Sequence, residues 1–410
     1  MTPRTLRIIG GVAALAGLAG VAAGAAVDLT HAAAAYLVAW VTVMTVVLGS
    51  LLFVLVHHVT DAGWSTVVRR QAEHVLAALP VLAVLFAPVL LLAPKVYKWA
   101  NPKYVAGDAL YEHKAVFLNV PFFVGRSVAY LVLWVLLAWA LRRWSFAGDG
   151  GEAKPQAWAA AKRARKWSTV AVIVFALTLS FASFDWLMSL DFHWYSTIFG
   201  VYVFAGAAAA GHALLALIVL ARRRRTLAGF VADSHVHDVG KWLFAYCCFW
   251  GYIAFSQYLL IYYANIPEET IWYLHRWEGP WRAAAVVMCV GLFALPFVVL
   301  MPAAAKRSGL VLGPVSVVVL AAQWVQMMWV VYPSTKVEWA VGGAWIDAAA
   351  LLLLGGAAAA AVAHSMATRD AVPRHDPRLH EVLAAVGAER HEADLASDVE
   401  HLHGHAAEGH

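Results

Sequence analysis

Apolar runs of about 20 residues, the length an α-helix needs to cross a bilayer, recur along most of this chain. Because 62% of its 410 residues are hydrophobic and only 13% are charged, the composition excludes an ordinary soluble domain. The sequence therefore predicts an all-α polytopic membrane protein with about ten transmembrane helices. The predicted spans are residues 6–27, 32–58, 75–93, 115–141, 168–187, 195–220, 239–263, 281–303, 310–331 and 342–365.

The first span, 6–27, is open to two interpretations. Its basic start and its run of glycine and alanine fit a cleaved signal peptide. Small residues equally suit close packing between membrane helices. We keep this span as a helix, and the orientation of the other nine is the same in either case.

Lysine and arginine are unevenly divided between the two sets of loops. The loops on the side of the N-terminus hold eighteen of them, and the opposite loops hold seven. Since such residues accumulate in cytoplasmic loops, both termini are predicted to be cytoplasmic. Residues 155–167 of the longest cytoplasmic loop are predicted to form a short basic amphipathic helix on anionic lipid headgroups.

Two joins between spans on the outer side are acidic and aromatic, and function is expected near them. Residues 181–200, FASFDWLMSLDFHWYSTIFG, hold two aspartates and a histidine but no lysine or arginine. Residues 262–281 hold three glutamates among tyrosine and tryptophan. Any chemistry is expected at these joins or in the helices behind them.

Ionisable side chains at or near membrane depth are functional candidates, because burying them costs free energy unless they are paired or hydrated. The candidates for a proton path or a quinone site are Arg126, Asp185, Asp191, His212 and Asp347. A carboxylate at the depth of Asp185 suits proton acceptance from a quinol or transfer along water. The structural alternatives are an ion pair for Arg126 and a helix cap or loop contact for Asp185.

The stretch 240–277 places polar groups on an otherwise apolar helix. Gln257 and Tyr258 are its candidates for lining a quinone cleft or a water-filled channel. The aromatic residues that follow are interpreted as an interfacial belt. They are Tyr262, Tyr263, Trp272, Tyr273 and Trp277.

Other kinds of site find little support. The three cysteines lie inside apolar runs, which argues against a disulfide framework or a CxxC metal site. No catalytic residue, metal site or nucleic-acid-binding signature is predicted, and a quinone is the expected small ligand. The transmembrane domain is predicted to end at residue 365, and the His-rich residues 366–410 are predicted to be a cytoplasmic, largely disordered tail.

Three segments together carry a family resemblance: SFDWLMSLDFHWYSTIFGVYVFAG at 183–206, HDVGKWLFAYCCFWGYIAFSQYLLIYYANIPEETIWYLHRW at 237–277, and FVGRSVAYLVLW at 123–134. They resemble the F subunits of bacterial alternative complex III, which belong to the NrfD/polysulfide-reductase-like membrane proteins. That complex is a quinol:cytochrome c (or high-potential iron–sulfur protein) oxidoreductase. The resemblance implies two four-helix bundles with flanking helices, in the bacterial inner membrane.

The resemblance also implies partners and the absence of a redox centre in this chain. The implied partners are multihaem cytochrome c subunits, an iron–sulfur subunit, the homologous C membrane subunit, small anchors, lipid and, in some assemblies, a terminal oxidase. In such complexes the C subunit is the better-supported quinol site. For this chain, quinone binding or proton conduction therefore stands beside two alternatives, a purely structural membrane subunit and an independent secondary transporter.

Overall fold

The computed structural model describes residues 2–147, 149, 154–335, 337–389 and 391. Within them the fold is all-α, and ten helices are long and apolar enough to cross a membrane, so the predicted architecture is confirmed. We number these helices α1 to α10 in chain order: Pro3–Val27, Leu29–Val59, Gly63–Leu91, Val120–Ala147, Lys154–Trp186, Phe199–Arg222, Asp233–Ala264, Pro280–Leu300, Gly309–Val331 and Ala344–Thr368.

The ten helices form two four-helix bundles with a flanking pair. In the first bundle α2 and α4 each pack against α3 and α5, and in the second α6 and α8 each pack against α7 and α9. The bundles meet where α2 packs on α6, while α1 and α10 pair with each other beside α2. We call the side where α1 begins and α10 ends the terminal face, and the opposite side the distal face.

Glycines allow the closest helix approaches in this fold. A β-carbon on Gly49 of α2 would lie 1.9 Å from the carbonyl oxygen of Ala207 on α6, where Gly211 also faces α2. A β-carbon on Gly17 of α1 would lie 2.2 Å from the backbone nitrogen of Leu353 on α10. Small residues at such seams let backbones pack directly on one another, and α1 is therefore an integral part of the packed structure.

Helix α3 is divided into short segments by the two prolines within it. Proline lacks an N–H group, so carbonyl groups near each break lose their partners within the helix. Neighbouring α2 supplies new donors, because Trp40 Nε1 donates to the carbonyl of Leu82 at 2.8 Å and the Tyr36 hydroxyl donates to that of Leu85 at 2.6 Å. The interruption is therefore tolerated at membrane depth.

The structure corrects the prediction of a separate surface helix before the fifth span. Helix α5 runs unbroken over Lys154–Trp186, so the basic residues 155–167 extend the membrane helix itself. No glycine or proline lies between residues 156 and 186, and alanine, lysine and arginine are good helix formers. Arg165 in this extension pairs with Asp61 at 2.9 Å.

The structure also corrects the start of the predicted disordered tail. Residues 369–389 fold back across the terminal face and end in a helical segment. Asp376 accepts from Arg69 of the first bundle at 2.8 Å, and Glu389 accepts from the backbone N–H of Asp233, where α7 of the second bundle begins, also at 2.8 Å. We call residues 369–389 the C-terminal strap. The rest of the predicted tail lies almost entirely outside the described residues.

The strap is ordered because it buries apolar side chains that the polar composition of the tail obscures. Spacings of three and four residues place several of them on one face of its helical segment. They are Leu379, Val382 and Val386, and Val372 is buried ahead of them.

Candidate functional site

Arg126 and Asp185, two of the predicted candidates, form an ion pair between α4 and α5 near the distal face. Arg126 Nη2 lies 2.6 Å from Asp185 Oδ1 and its Nε lies 2.9 Å from Oδ2, while the Tyr130 hydroxyl donates to Oδ2 at 2.9 Å. The guanidinium also stacks on the rings of Phe117 and Phe122. Asp185 is 1% exposed, so this carboxylate is buried but compensated by charge and hydrogen bonds.

Asp347 lies in a second buried cluster, where α10 begins. Its carboxylate accepts hydrogen bonds from the Tyr332 hydroxyl and, at 2.9 Å, from Trp339 Nε1, and His31 Nε2 lies 3.4 Å away. Trp281 stacks on the Tyr332 ring with centroids 5.6 Å apart. His31, Tyr332 and Trp339 were not among the sequence candidates. His31 belongs to α2, Tyr332 directly follows α9 and Trp339 lies in the loop after it, so their contact with Asp347 depends on how these segments pack.

His212 lies in a third cluster, in the half of the protein nearer the terminal face. His212 Nδ1 donates to the Ala208 carbonyl at 2.8 Å, and His57 of α2 makes the matching bond to the Phe53 carbonyl. The Phe53 ring contacts both imidazoles, with its centroid 3.9 Å from that of His57 and 5.4 Å from that of His212. Both Nε2 atoms are buried without a partner.

These predicted candidates for a proton path or a quinone site therefore lie in separate clusters. No hydrogen bond or ion pair among the described residues joins Asp185, Asp347 and His212. In the part of the chain that the structure describes, no group of three or more His, Cys, Asp or Glu side chains is placed to hold a metal ion.

Asp191 lies half-buried at the distal face. It is the carboxylate whose field acts on both Lys114 and Arg276. Burial lowers the pKa of Lys114, and Asp191 opposes that shift. The Lys114 ammonium also donates to the Phe192 carbonyl at 2.6 Å, which fixes this loop against the join that follows α5.

A cleft of about 960 Å³ lies between α7, the short helix Pro267–Leu274 and α8. Its walls are mostly aromatic and aliphatic, and it lies in the distal half of the second bundle. At its rim Tyr252, Phe255 and Tyr262 are each more than 60% exposed, so the cleft opens on the surface that lipid would cover. We call this the aromatic cleft.

Both sequence candidates on α7 are associated with the aromatic cleft. Tyr258 lines it and lies edge-on to Tyr273, with ring centroids 5.3 Å apart. Gln257 is buried behind the wall, and its Nε2 donates to the Tyr273 hydroxyl at 3.2 Å. The predicted aromatic belt holds for Tyr262 at the rim, but Tyr273 is part of the cleft wall.

Trp272 also departs from the predicted belt. It is only 2% exposed, and its ring stacks on that of Trp194 with centroids 4.4 Å apart. Because it contacts the join after α5, this residue ties the two acidic, aromatic joins together. Tyr263 and Trp277, by contrast, are exposed as a belt requires.

Arg276 is buried at the inner end of the aromatic cleft and is held by backbone carbonyls. Its Nε donates to the Trp329 carbonyl at 3.1 Å, its Nη1 to that of Trp272 at 2.9 Å, and its Nη2 to that of Val330 at 2.8 Å and to Ser334 Oγ at 2.6 Å. The guanidinium carbon lies 3.5 Å from the Trp272 ring centroid.

No described carboxylate lies within 4.0 Å of the Arg276 guanidinium. Burial lowers the pKa of Arg276 to about 9, and the fields of Asp191, Tyr273 and Tyr202 only partly offset this. The group still carries its positive charge at neutral pH. Sequence analysis missed this residue as a site candidate, although it is the only lysine or arginine within the acidic join 262–281.

No protein-family model matches the chain, and no curated protein matches it. Function is therefore inferred from the chain's own residues. The feature that carries this inference is the aromatic cleft, which combines an apolar wall with a buried cation.

Proposed function

We propose that this chain is an integral membrane subunit of a bacterial quinol-oxidising complex, and that a quinone binds in its aromatic cleft. The cleft is the observation that carries the proposal. A volume of about 960 Å³ is at the upper end of the usual range for small-molecule sites. An apolar wall with a few polar groups at its inner end suits a planar ring with two oxygens and an isoprenoid chain.

The position of the cleft supports a lipid-soluble ligand. Exposed rim residues on α7 face the region that acyl chains would occupy, so a quinone could enter from the bilayer without crossing water. The walls come largely from 237–277, the longest segment that resembles the F subunits of alternative complex III. Cleft and resemblance therefore point to the same stretch of chain.

The wider proposal follows the resemblance. The acceptor would be cytochrome c or a high-potential iron–sulfur protein, and electrons would be carried by the multihaem cytochrome and iron–sulfur subunits. This chain would pack against the homologous C subunit. With both termini cytoplasmic in the inner membrane, the distal face would be periplasmic and would present its acidic loops to those partners.

The helix interruptions favour this proposal over an independent transporter. A transporter built from two repeats is expected to break corresponding helices in each repeat. Here the main breaks fall in α3, the second helix of its bundle, and in α8, the third helix of the other, where a π-helical turn covers Val290–Ala294. These positions do not correspond.

Isolation of the tagged full-length chain from its native membrane in mild detergent tests the complex. We expect it to co-purify with c-type cytochrome and to carry quinol:cytochrome c activity. A chain that purifies alone, with neither haem nor activity in the fraction, would contradict membership of such a complex.

Ala254→Trp tests the cleft directly, because it fills space between the aromatic walls. We expect this variant to retain less quinone in lipid nanodiscs than the wild type does. Ala245→Trp is the matched control, since Ala245 is exposed on the same helix but does not line the cleft. Equal quinone content in both variants, or photo-crosslinking of the cleft to another protein, would contradict quinone binding.

A further inference from the structure

The inner end of the aromatic cleft offers hydrogen-bond donors. Trp250 and Trp329 line this end, but their indole N–H groups are buried beneath its surface, which leaves Tyr273 and Arg276 as the donors. The Tyr273 hydroxyl accepts from Gln257, and its own hydrogen has no described acceptor. Arg276 adds a cation that no described carboxylate neutralises at contact distance. A ligand that reaches this end therefore meets donors and positive charge.

The backbone carbonyl acceptors at the same end are already occupied. The backbone carbonyls of Trp272, Trp329 and Val330 all accept from Arg276. Among the described cleft residues there is no carboxylate and no imidazole. Gln257 Oε1 is unpartnered, but Gln257 does not line the cleft, and the Asn265 amide lies at the exposed rim. A hydroxyl group brought to the inner end would find only the hydroxyl oxygens of Tyr202 and Tyr273 as acceptors.

We propose, on the basis of the proposed quinone site, that the aromatic cleft binds the oxidised quinone and anionic quinoid rings more tightly than the neutral quinol. The two preferred forms present hydrogen-bond acceptors, whereas the quinol presents hydroxyl groups. The oxidised quinone presents two carbonyl oxygens to these donors, and a ring bearing an anionic oxygen also neutralises Arg276. A quinol would gain nothing from the charge of Arg276 and would find only neutral hydroxyl oxygens for its hydrogens, and hydrogen bonds between neutral groups contribute less than those to charged groups. It would also lack a nearby base to receive its protons.

This inference assigns the cleft a role within the proposed complex. It holds the oxidised quinone, the product of quinol oxidation, and the oxidation itself takes place elsewhere in the complex. The chain would then contribute a product or exchange site that opens to the bilayer rather than a second site of oxidation.

A matched pair of ligands tests the preference for an anion. The probes are a 3-alkyl-2-hydroxy-1,4-naphthoquinone, which is ionised at neutral pH, and its neutral 2-methoxy analogue. Binding is followed by quenching of tryptophan fluorescence on the full-length protein in nanodiscs. We expect the ionised ligand to bind about tenfold or more tightly than the methoxy analogue, because hydrogen bonds to charged groups are the stronger kind.

Substitution of Arg276 locates the preference. Arg276→Gln should remove most of the difference in affinity between the two ligands, while the methoxy analogue still binds. Arg276→Lys should keep part of that difference in affinity. Arg282→Gln, an exposed position outside the cleft, is the control and should keep all of it. A ratio unchanged in Arg276→Gln would overturn the assignment to this residue.

A second measurement needs no variant. The neutral quinone and its chemically reduced quinol compete against the methoxy analogue on the wild-type protein under anaerobic conditions. We expect the quinone to compete about tenfold or more strongly. A quinol that competes as well as the quinone would overturn the inference but leave the quinone site standing. Failure of every ligand to bind would instead contradict the quinone site itself.

Discussion

Gly49 of α2 and Gly211 of α6 lie directly against each other where the two bundles meet. A β-carbon on Gly211 would come within 2.5 Å of the Gly49 α-carbon, and one on Gly49 within 1.9 Å of the Ala207 carbonyl oxygen. Both contacts are with backbone, which cannot move aside as a side chain can. The bundle interface therefore requires glycine at both positions.

Gly49→Ala is expected to destabilise the protein by at least about 1–3 kcal/mol, the usual cost of overpacking. The measurement is thermal unfolding of the purified protein in detergent, followed by tryptophan fluorescence. Gly355→Ala is the control, because a β-carbon added there would meet no neighbouring side chain or helix within 4 Å. Since alanine favours a helix interior over glycine by up to about 1 kcal/mol, the control should be neutral or stabilising.

The ion pair of Arg126 and Asp185 is expected to be structural. Arg126→Leu leaves the Asp185 carboxylate buried with Tyr130 as its remaining side-chain partner, and removing one member of a buried pair costs about 3–5 kcal/mol. Thermal unfolding checks the loss. Arg165→Leu breaks a half-exposed pair with Asp61 and should cost about 1 kcal/mol or less. Equal losses would contradict the difference in burial.

The same pair allows a functional test of Asp185. Asp185→Asn keeps the size of the side chain but removes its charge. If the chain is a subunit of the proposed complex, we expect quinol:cytochrome c turnover and proton release to persist in samples with equal amounts of assembled complex. The physical reason is that this carboxylate is fully engaged by Arg126 and Tyr130. Lost proton release in an intact complex would instead restore Asp185 to a proton path.

Tyr332→Phe is expected to destabilise the cluster at Asp347. The change removes one donor from a carboxylate that is 1% exposed, and an acceptor left short of a partner costs about 1–3 kcal/mol. Tyr263→Phe removes a hydroxyl that is exposed to solvent or headgroups and should change stability little. Thermal unfolding of the two variants provides the comparison.

The C-terminal strap is expected to detach in acid. Burial opposes ionisation of Asp376, but Arg69 and Arg378 outweigh it and hold the pKa of Asp376 below its ordinary value of 3.8. A depressed pKa means that the ionised form stabilises the fold above about pH 4, and that this contribution is lost as the pH falls through the lower, folded-state pKa.

Hydrogen–deuterium exchange over residues 369–389, corrected for the intrinsic pH dependence of exchange, checks this release. Asp376→Asn should raise exchange of the strap at neutral pH, where the wild type is protected. Asp370→Asn is the control within the strap. Equal protection of wild type and Asp376→Asn at every pH would contradict the role of this carboxylate.

Much of the fold follows from local sequence. Ten apolar runs predict ten helices because spanning length and hydropathy are properties of each run alone. The unbroken α5 was missed because the basic residues 155–167 were interpreted as a surface helix, while their helix propensity continues without a break into the span. The strap was missed because its few apolar residues are outnumbered by polar ones, yet they suffice to bury one face.

The candidate site likewise contains residues that the sequence predicts and one that it does not. Gln257 and Tyr258 could be found because polar groups stand out on an apolar helix, and Asp185 because a carboxylate is rare at that depth. Arg276 stood out only as one basic residue in an acidic join, and nothing local indicates that it is buried.

The sequence by itself determined that the chain is an all-α membrane protein, how many helices it has and which polar residues lie within them. These properties depend only on residues that are neighbours along the chain. Only the tertiary structure decided that Arg126 pairs with Asp185, that Asp347 and His212 belong to other clusters, and that Arg276 faces an aromatic cleft without a contacting carboxylate. Those outcomes depend on which helices pack together and at what depth. The distance in space between two segments far apart in the sequence is set by helix packing and not by their separation along the chain.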